Sequence, residues 1–363
     1  MEITRIRLYN FRNYARLDLS GFSSRVNVVY GENAQGKTNL IEAAAVAANG
    51  KSFRPGAETS LVRGGAESAY VRVEYREGGR RGSIEAAILP DGRKSYKKNG
   101  SAVRTIKEII GTLLTVSFSP DDIRTVREGP GLRRNLLDSE ISKIRPTYVD
   151  ALRKYARLLA EKNKVLKKPD APHAEELIAT YNAEAAPCIR IILRNRLKYI
   201  AKLNAYVEQV HKEISGSDER IEIAYHSTLP GEDIEAELRA LSHRERLAYA
   251  SVAGPQRDDV IFTINGRPVK SYASQGQQRT LMLAVKIACL RILRDVSGKM
   301  PVFLLDDVLS ELDEERRRNL LGSLQDLQVF ITTADPRDSA LIGAGSRIEV
   351  KAGAAQMADA AAT

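Results

Sequence analysis

Two short stretches of this chain bring together the residue types that handle phosphate and a divalent cation. Gly31-Glu32-Asn33-Ala34-Gln35-Gly36-Lys37-Thr38 has the spacing GxxxxGK[ST], and Asn39 follows it. In such a loop, backbone N–H groups turn inward, and a helix starting at its end adds partial positive charge. Lys37 would reach the β- and γ-phosphates of a nucleoside triphosphate, and the Thr38 hydroxyl would hold Mg²⁺. Far along the chain, Val302-Phe303-Leu304-Leu305 runs into Asp306-Asp307. Asp306 is placed to hold Mg²⁺ directly or through water. Asp307 is placed to polarise an attacking water, which pairs it with Lys37 as the catalytic residues. Alone, the second stretch is nearly as well read as a strand with an acidic end. Beside the glycine loop the metal reading is the stronger one.

The elements around these residues must position them. Val26 to Tyr30 is β-branched and apolar, and Asn39 to Ala45 is helix-forming, so the loop lies between strand and helix. Ile3 to Tyr9, Arg16 to Leu19 and Thr112 to Phe118 read as strands. Ile84 to Leu89 and Lys94 to Lys97 read as a hairpin turning at Asp91-Gly92. Between Asp121 and Ala250 the pattern turns helical. Leu152, Tyr155, Leu158, Leu159, Val165 and Leu166 mark one helix, and Ile178 through Val210 a second, broken or kinked at Pro187. The two read as an antiparallel helical hairpin. A strand at Ile221 to Tyr225 and a helix at Asp233 to Tyr249 follow. Beyond Ser251 come a hairpin turning at Asn265-Gly266, a helix from Gln275 to Arg294, a strand from Pro301, a helix from Glu314 and a strand at Gln328 to Thr333.

Because Lys37 and Asp306 are separated by most of the chain, the helical segment reads as an insertion between two parts of one α/β sheet domain. The expected organisation is residues 1–120 and 251–351 as one split lobe, 121–250 as an inserted lobe, and 352–363 as an Ala-rich flexible tail.

The sequence has 363 residues, 43% of them hydrophobic and 28% charged. Its 56 Lys and Arg against 46 Asp and Glu give a net charge of +10 and a pI near 9.5. That surplus fits a polyanionic partner such as nucleic acid, and equally an ordinary basic protein. Cys188 and Cys289 stand far apart with no metal-ligand spacing, which argues against a disulfide scaffold or zinc site. The N-terminus carries no apolar leader, and no apolar run reaches membrane-spanning length, so a cytoplasmic protein without a membrane partner is expected.

Three further stretches fit a nucleotide switch. Ser274-Gln275-Gly276-Gln277-Gln278-Arg279 is similar to an ABC signature loop, Ser310-Glu311-Leu312-Asp313 to a D-loop, and Asn10-Phe11-Arg12-Asn13-Tyr14 to the N-terminal motif of Rad50-like heads. Each alone has a plain structural reading as a helix cap or core residue. The blocks extend through Lys51-Ser52-Phe53-Arg54, Phe118-Ser119-Pro120-Asp121-Asp122, Gly254-Pro255-Gln256-Arg257-Asp258-Asp259 and Leu305 to Asp313. Together they resemble the RecF family of bacterial recombination-mediator ATPases. The resemblance implies a split ABC-type (Rad50-like) P-loop ATPase head with an inserted, mainly helical lobe. It also implies ATP and Mg²⁺, an ATP-bound homodimer on double- or single-stranded DNA or their junction, slow DNA-stimulated hydrolysis, and work with RecR and RecO in loading RecA at gaps and stalled forks. In that superfamily the nucleotide is also contacted by residues matching Arg12, Asn13, Ser274, Gly276, Gln277 and Asp313, the signature group acting on the opposite subunit's γ-phosphate.

Some positions depart from the wider pattern. Asp307 stands where ABC transporters place Glu, Gln256 where the family commonly has His, and Thr332-Thr333 near a switch His. A Thr hydroxyl can bond a phosphate but does not exchange a proton at neutral pH. For DNA, the basic candidates are Lys143, Arg145, Arg153, Lys154, Arg157, Lys162, Lys164, Lys167 and Lys168, then Arg190, Arg194, Arg196, Lys198 and Lys202. Lys51, Arg54, Arg63 and Arg93 offer another surface, and the sequence does not choose between them. The rival readings are an ABC-type subunit of a transporter or an SMC-like structural protein.

Overall fold

The computed structural model describes residues 1–358 except 55, 57, 325 and 336–344. In chain order, β1 (Glu2–Phe11), β2 (Tyr14–Ser20) and β3 (Val26–Tyr30) lead into α1 (Lys37–Asn49). Then come β4 (Ala69–Glu77), β5 (Arg80–Ile88), β6 (Lys94–Lys98), β7 (Ser101–Ala102) and β8 (Thr115–Phe118). Helices α2 (Arg124–Arg127), α3 (Pro130–Ile144), α4 (Pro146–Leu166) and α5 (Ala174–Ser215) follow, with β9 (Ile221–His226), α6 (Ile234–Ala240) and α7 (Ser242–Ala248). Next are β10 (Asp259–Ile264), β11 (Arg267–Pro268), α8 (Val269–Tyr272) and α9 (Gln275–Ser297). The remaining elements are β12 (Val302–Leu305), α10 (Glu314–Ser323), β13 (Val329–Thr333), β14 (Ser346–Lys351) and β15 (Ala354–Ala358). Among the described residues, no helix is long and apolar enough to cross a membrane.

The chain groups into two compact units. The first holds Met1–Ile123, Gln209–Asp218 and the described residues from Arg279 onward; the second holds Arg124–Glu208 and Glu219–Gln278. Residues 251–278, expected with the split lobe, fall in the second unit. The reason is strand pairing: β10 forms an antiparallel ladder with β9 from Asp259–His226 to Ile264–Ile221.

In the first unit, a largely parallel sheet has the order β15-β14-β3-β13-β12-β8, with only β15 antiparallel. Its central strands are continuous apolar runs because both faces are covered; every residue of β12 is buried. The P-loop leaves the carboxyl end of β3 and Asp306 the carboxyl end of β12. Only β13 separates those strands, and in parallel α/β sheets this is the edge where ligands bind. An antiparallel sheet, β2-β1-β4-β5-β6-β7, shares one core with it. Helix α1 contributes to that core from nearly all sides, with Ala43 to Ala48 all buried. A helix apolar all round fits a position between covering layers.

The expected flexible tail is corrected in part. Residues 354–358 form β15, paired with β14 from Lys351–Ala354 to Arg347–Ala358. Its Ala-rich composition lacks strand propensity, and the ladder to β14 holds it extended. Residues 359–363 lie outside the described part. The helix expected at 233–249 is two helices, α6 and α7, meeting at Leu241. Pro187 lies inside α5 without ending it.

The second unit also corrects three of the basic candidates. Lys143, Lys162 and Arg196 are buried. Lys143 pairs with Glu140 at 2.6 Å and Lys162 with Glu245 at 2.7 Å. Arg196 donates to both carboxylate oxygens of Asp138 at 3.0 Å and to the Pro255 carbonyl at 2.8 Å. It also donates to Tyr225, whose hydroxyl donates to the buried Asp258. These three cations are held in buried ion pairs and are not presented at the surface. Arg196→Leu should therefore destabilise the protein by about 3–5 kcal/mol in urea unfolding, since it leaves the half-buried Asp138 and the buried Asp258 without their cation.

Candidate active site

The loop's shape is imposed by backbone that side chains resist. Gly31 has φ +150, and a Cβ there would lie 2.2 Å from the Val350 carbonyl oxygen. Gly36 has φ +120, and a Cβ there would meet the Asn13 amide at 2.7 Å. Ala34 is also left-handed, with φ 64. The side chains of Glu32, Asn33 and Ala34 are exposed at the loop's rim.

Several groups fasten the loop. The Tyr14 hydroxyl donates to the Gly36 carbonyl at 3.0 Å, and the Asn13 amide to the Gln35 carbonyl at 2.7 Å. Asn39 donates to the Asn13 side-chain oxygen at 2.8 Å. The turn between β14 and β15 adds the Ala352 N–H to the Gln35 side chain at 2.5 Å and the Gly353 N–H to the Gln35 carbonyl at 3.1 Å. A segment expected to be loose therefore grips the P-loop.

Lys37 donates to the Gly31 and Glu32 carbonyls at 2.7 and 2.8 Å, so its ammonium lies over the loop. Burial pushes its pKa down, opposed by the nearby Asp307 and Asp306 carboxylates. The Thr38 hydroxyl donates to Asp306 Oδ1 at 2.6 Å. Burial pushes the Asp306 carboxyl up, opposed by its hydrogen bonds from Thr38 and Thr332. A hydroxyl and a desolvated carboxylate in contact are hard oxygen donors suited to Mg²⁺. Among the described residues no cluster of three or more His, Cys, Asp or Glu could hold a metal by itself. A few protein oxygens completed by substrate phosphates is the usual Mg²⁺ arrangement.

Asp307 sits at φ 48, a conformation uncommon for a non-glycine residue. Its Oδ1 is buried with no hydrogen-bond partner among the described residues. The Thr332 hydroxyl joins the two acids: it donates to Asp306 Oδ1 at 2.8 Å and accepts the Asp307 N–H at 2.9 Å. Sequence reasoning missed this role and considered Thr332 only for phosphate contact. The available signal was a pair of Thr hydroxyls, Thr332 and Thr333, at the end of an apolar buried strand. Thr332→Val should cost about 1–2 kcal/mol in urea unfolding, with most of the loss recovered in Thr332→Ser. Thr333 hydrogen-bonds instead with Asp335, accepting its N–H at 3.1 Å.

The remaining candidates are placed differently. Arg12 does not point freely into the loop; it makes a two-pronged ion pair with the buried Glu42 of α1, at 2.6 and 2.9 Å, and also donates to Ser60. Glu42 is a further residue that sequence reasoning missed, and Ser52 also donates to it. Arg54 is exposed and donates to Asn39 Oδ1 at 3.1 Å. Asp313 caps α10, accepting the Arg316 N–H at 2.9 Å. Ser274, Gly276 and Gln277 belong to the second unit, at the start of α9. Ser274 Oγ accepts the Gln277 N–H at 3.2 Å while Gln277 Oε1 accepts the Ser274 N–H at 2.9 Å, a reciprocal capping box. Gln277 also donates to Glu219 at 2.6 Å. Gln256 accepts the Tyr155 hydroxyl and donates to the Ala253 carbonyl at 2.8 Å, a packing role inside the second unit.

Residues 2–353 match the model of the RecF/RecN/SMC N terminal domain. The chain is 38% identical over 343 residues to the DNA replication and repair protein RecF of Clostridium perfringens (strain SM101 / Type A), covering 93% of this chain and 94% of that one. It is 37% identical over 344 residues to the same protein of Clostridium beijerinckii, covering 93% of each. The solved structure of the recombination mediator protein RecF-ATP in the RecFOR pathway matches with a TM-score of 0.90 at 34% identity, covering 98% of this chain and 97% of that chain. An Smc head domain from Pyrococcus furiosus matches with a TM-score of 0.57 at 18% identity over 98% of this chain and 96% of that one, a likeness of fold alone. The fold is thus an α/β, Rad50-like ABC ATPase head, and the chain belongs to the RecF family of DNA replication and repair proteins.

Proposed function

We propose that this protein is an ATP-switched DNA-binding ATPase of recombinational repair. The observation that carries the reading is the meeting of Lys37, Thr38, Asp306 and Asp307 at the carboxyl edge of one parallel sheet. The P-loop amides and Lys37 hold the triphosphate. Asn13, Gln35 and Asn39 keep the loop in shape around it, and Arg12 braces α1 through Glu42. Mg²⁺ held by Thr38 and Asp306 would neutralise phosphate charge. Asp307 orients the attacking water and takes its proton. Residues 1–123, 209–218 and the described residues from 279 onward serve as the ATPase lobe, and 124–208 with 219–278 as the inserted, mainly helical lobe.

The chain has one P-loop and one signature stretch. Ser274, Gly276 and Gln277 then complete the site of a second copy, with Asp313 near the same interface. ATP bridges the homodimer on DNA and hydrolysis releases it, so DNA stimulates a slow turnover. RecF proteins carry the description recombination mediator in the RecFOR pathway. By likeness to them, the partners here are RecR and RecO, the outcome is RecA loading at gaps and stalled forks, and the compartment is the cytoplasm. Sedimentation with ATP and with ADP tests the switch. Twice the mass with ATP alone is expected, and equal mass in both states overturns it.

A further inference from the structure

We infer that the exposed edge of α5 carrying Arg194, Lys198 and Lys202 is a contact for the phosphate backbone of nucleic acid. The inference rests on the DNA-binding reading above and names a surface for it. Between Ala185 and Val207 the chain has no acidic residue, while it carries Arg190, Arg194, Arg196, Lys198 and Lys202. Arg196 is turned inward and paired, as described above. The other four are exposed and recur every fourth residue, so they form one row along the helix. Arg190 lies 3.6 Å from Glu235. Among the described residues, Arg194, Lys198 and Lys202 have no salt-bridge partner.

A row stepping four residues at a time advances about 6 Å per step. From Arg190 to Lys202 it covers about 18 Å, alongside about five phosphates of one duplex strand. A positive face is met by a partner surface of complementary negative potential. A single-sign row over this length suits a polyanion whose charge repeats. The apolar exposure of Ile191 and Leu197, 39% and 52%, lies on the same helix. An acidic protein partner is the competing occupant, and the test separates it.

The triple variant Arg194→Gln, Lys198→Gln, Lys202→Gln keeps long side chains and good helix formers. DNA binding is read by fluorescence anisotropy with a labelled duplex, with ATP, across a salt series. Removing three phosphate contacts should weaken binding about 10- to 100-fold and reduce the slope of log K against log salt by about 2–3. Arg194→Lys, which keeps the charge, should leave the slope unchanged. ATPase activity without DNA should stay at the wild-type level. If the triple variant fails to fold, the three single Gln variants should each lower the slope by about 0.9. Wild-type affinity and slope in the variants would overturn the inference and leave the row to an acidic protein or to solvent. A loss of affinity with an unchanged slope would also overturn it. No DNA binding by the unaltered protein would bring down the broader reading together with this one.

Discussion

Asp307→Asn should bind ATP as tightly as the wild type and hydrolyse it about 100-fold more slowly or worse. The conformation at this position, φ 48, is one that Asn adopts as readily as Asp. The Asp307 N–H would keep its bond to Thr332 and the turn its shape. What disappears is a carboxylate able to take a proton, and a positioned general base contributes about 10²–10⁴-fold to a rate. Since Oδ1 is buried with no partner among the described residues, little of the hydrogen bonding seen there is lost with the charge. The ATP-bound dimer should accumulate, because the step that releases it is blocked. Phosphate release measured with sedimentation checks both halves. Turnover at the wild-type rate would remove Asp307 from the chemistry. A dimer that forms no better than before, despite slow hydrolysis, would separate catalysis from the switch.

How much of this site was legible depended on whether the signal was local. The P-loop was readable because strand, glycines and helix are adjacent in sequence, and the structure gives that loop the geometry its glycines permit. The pairing of Lys37 with Asp306 was readable from topology: two parallel strands with a long insertion between them must share a sheet for either motif to be useful. Register was not readable. Nothing in Val329 to Thr333 alone says that Thr332 faces both acids, because that depends on how β13 lies beside β12. The tail was misjudged because β15 owes its form to its neighbour.

Arg196 is a different kind of miss. It was grouped by charge with Arg194 and Lys198, yet it sits four residues after the buried Ile192 and four before the buried Ile200. Its phase along α5 matches the apolar side, and the helical period would have moved it to the core. The membership of residues 251–278 could not be read, because the β9–β10 ladder joins segments more than thirty residues apart.

Ser274→Arg should leave a single copy's ATP affinity intact and abolish the ATP-induced dimer. Ser274 lies in the second unit and Lys37 in the first, and the bonds of Ser274 are local to the start of α9. Losing the capping box should cost about 1 kcal/mol, too little to unfold an ordinary domain. The larger effect comes from placing a long cation where a neighbour's γ-phosphate would have to approach a helix N-terminus closely. Ser274→Ala separates the two causes, since it removes the cap without adding bulk or charge. Ser274→Ala should show the same small stability loss while keeping much of the dimer, whereas Ser274→Arg should sediment as a single copy with ATP. The decisive measurement is nucleotide affinity at protein concentrations too low for association. If Ser274→Arg loses affinity there, the signature acts on its own copy's nucleotide. If it still dimerises with ATP, the start of α9 is only a helix cap, and the bridging of two copies must run through other residues.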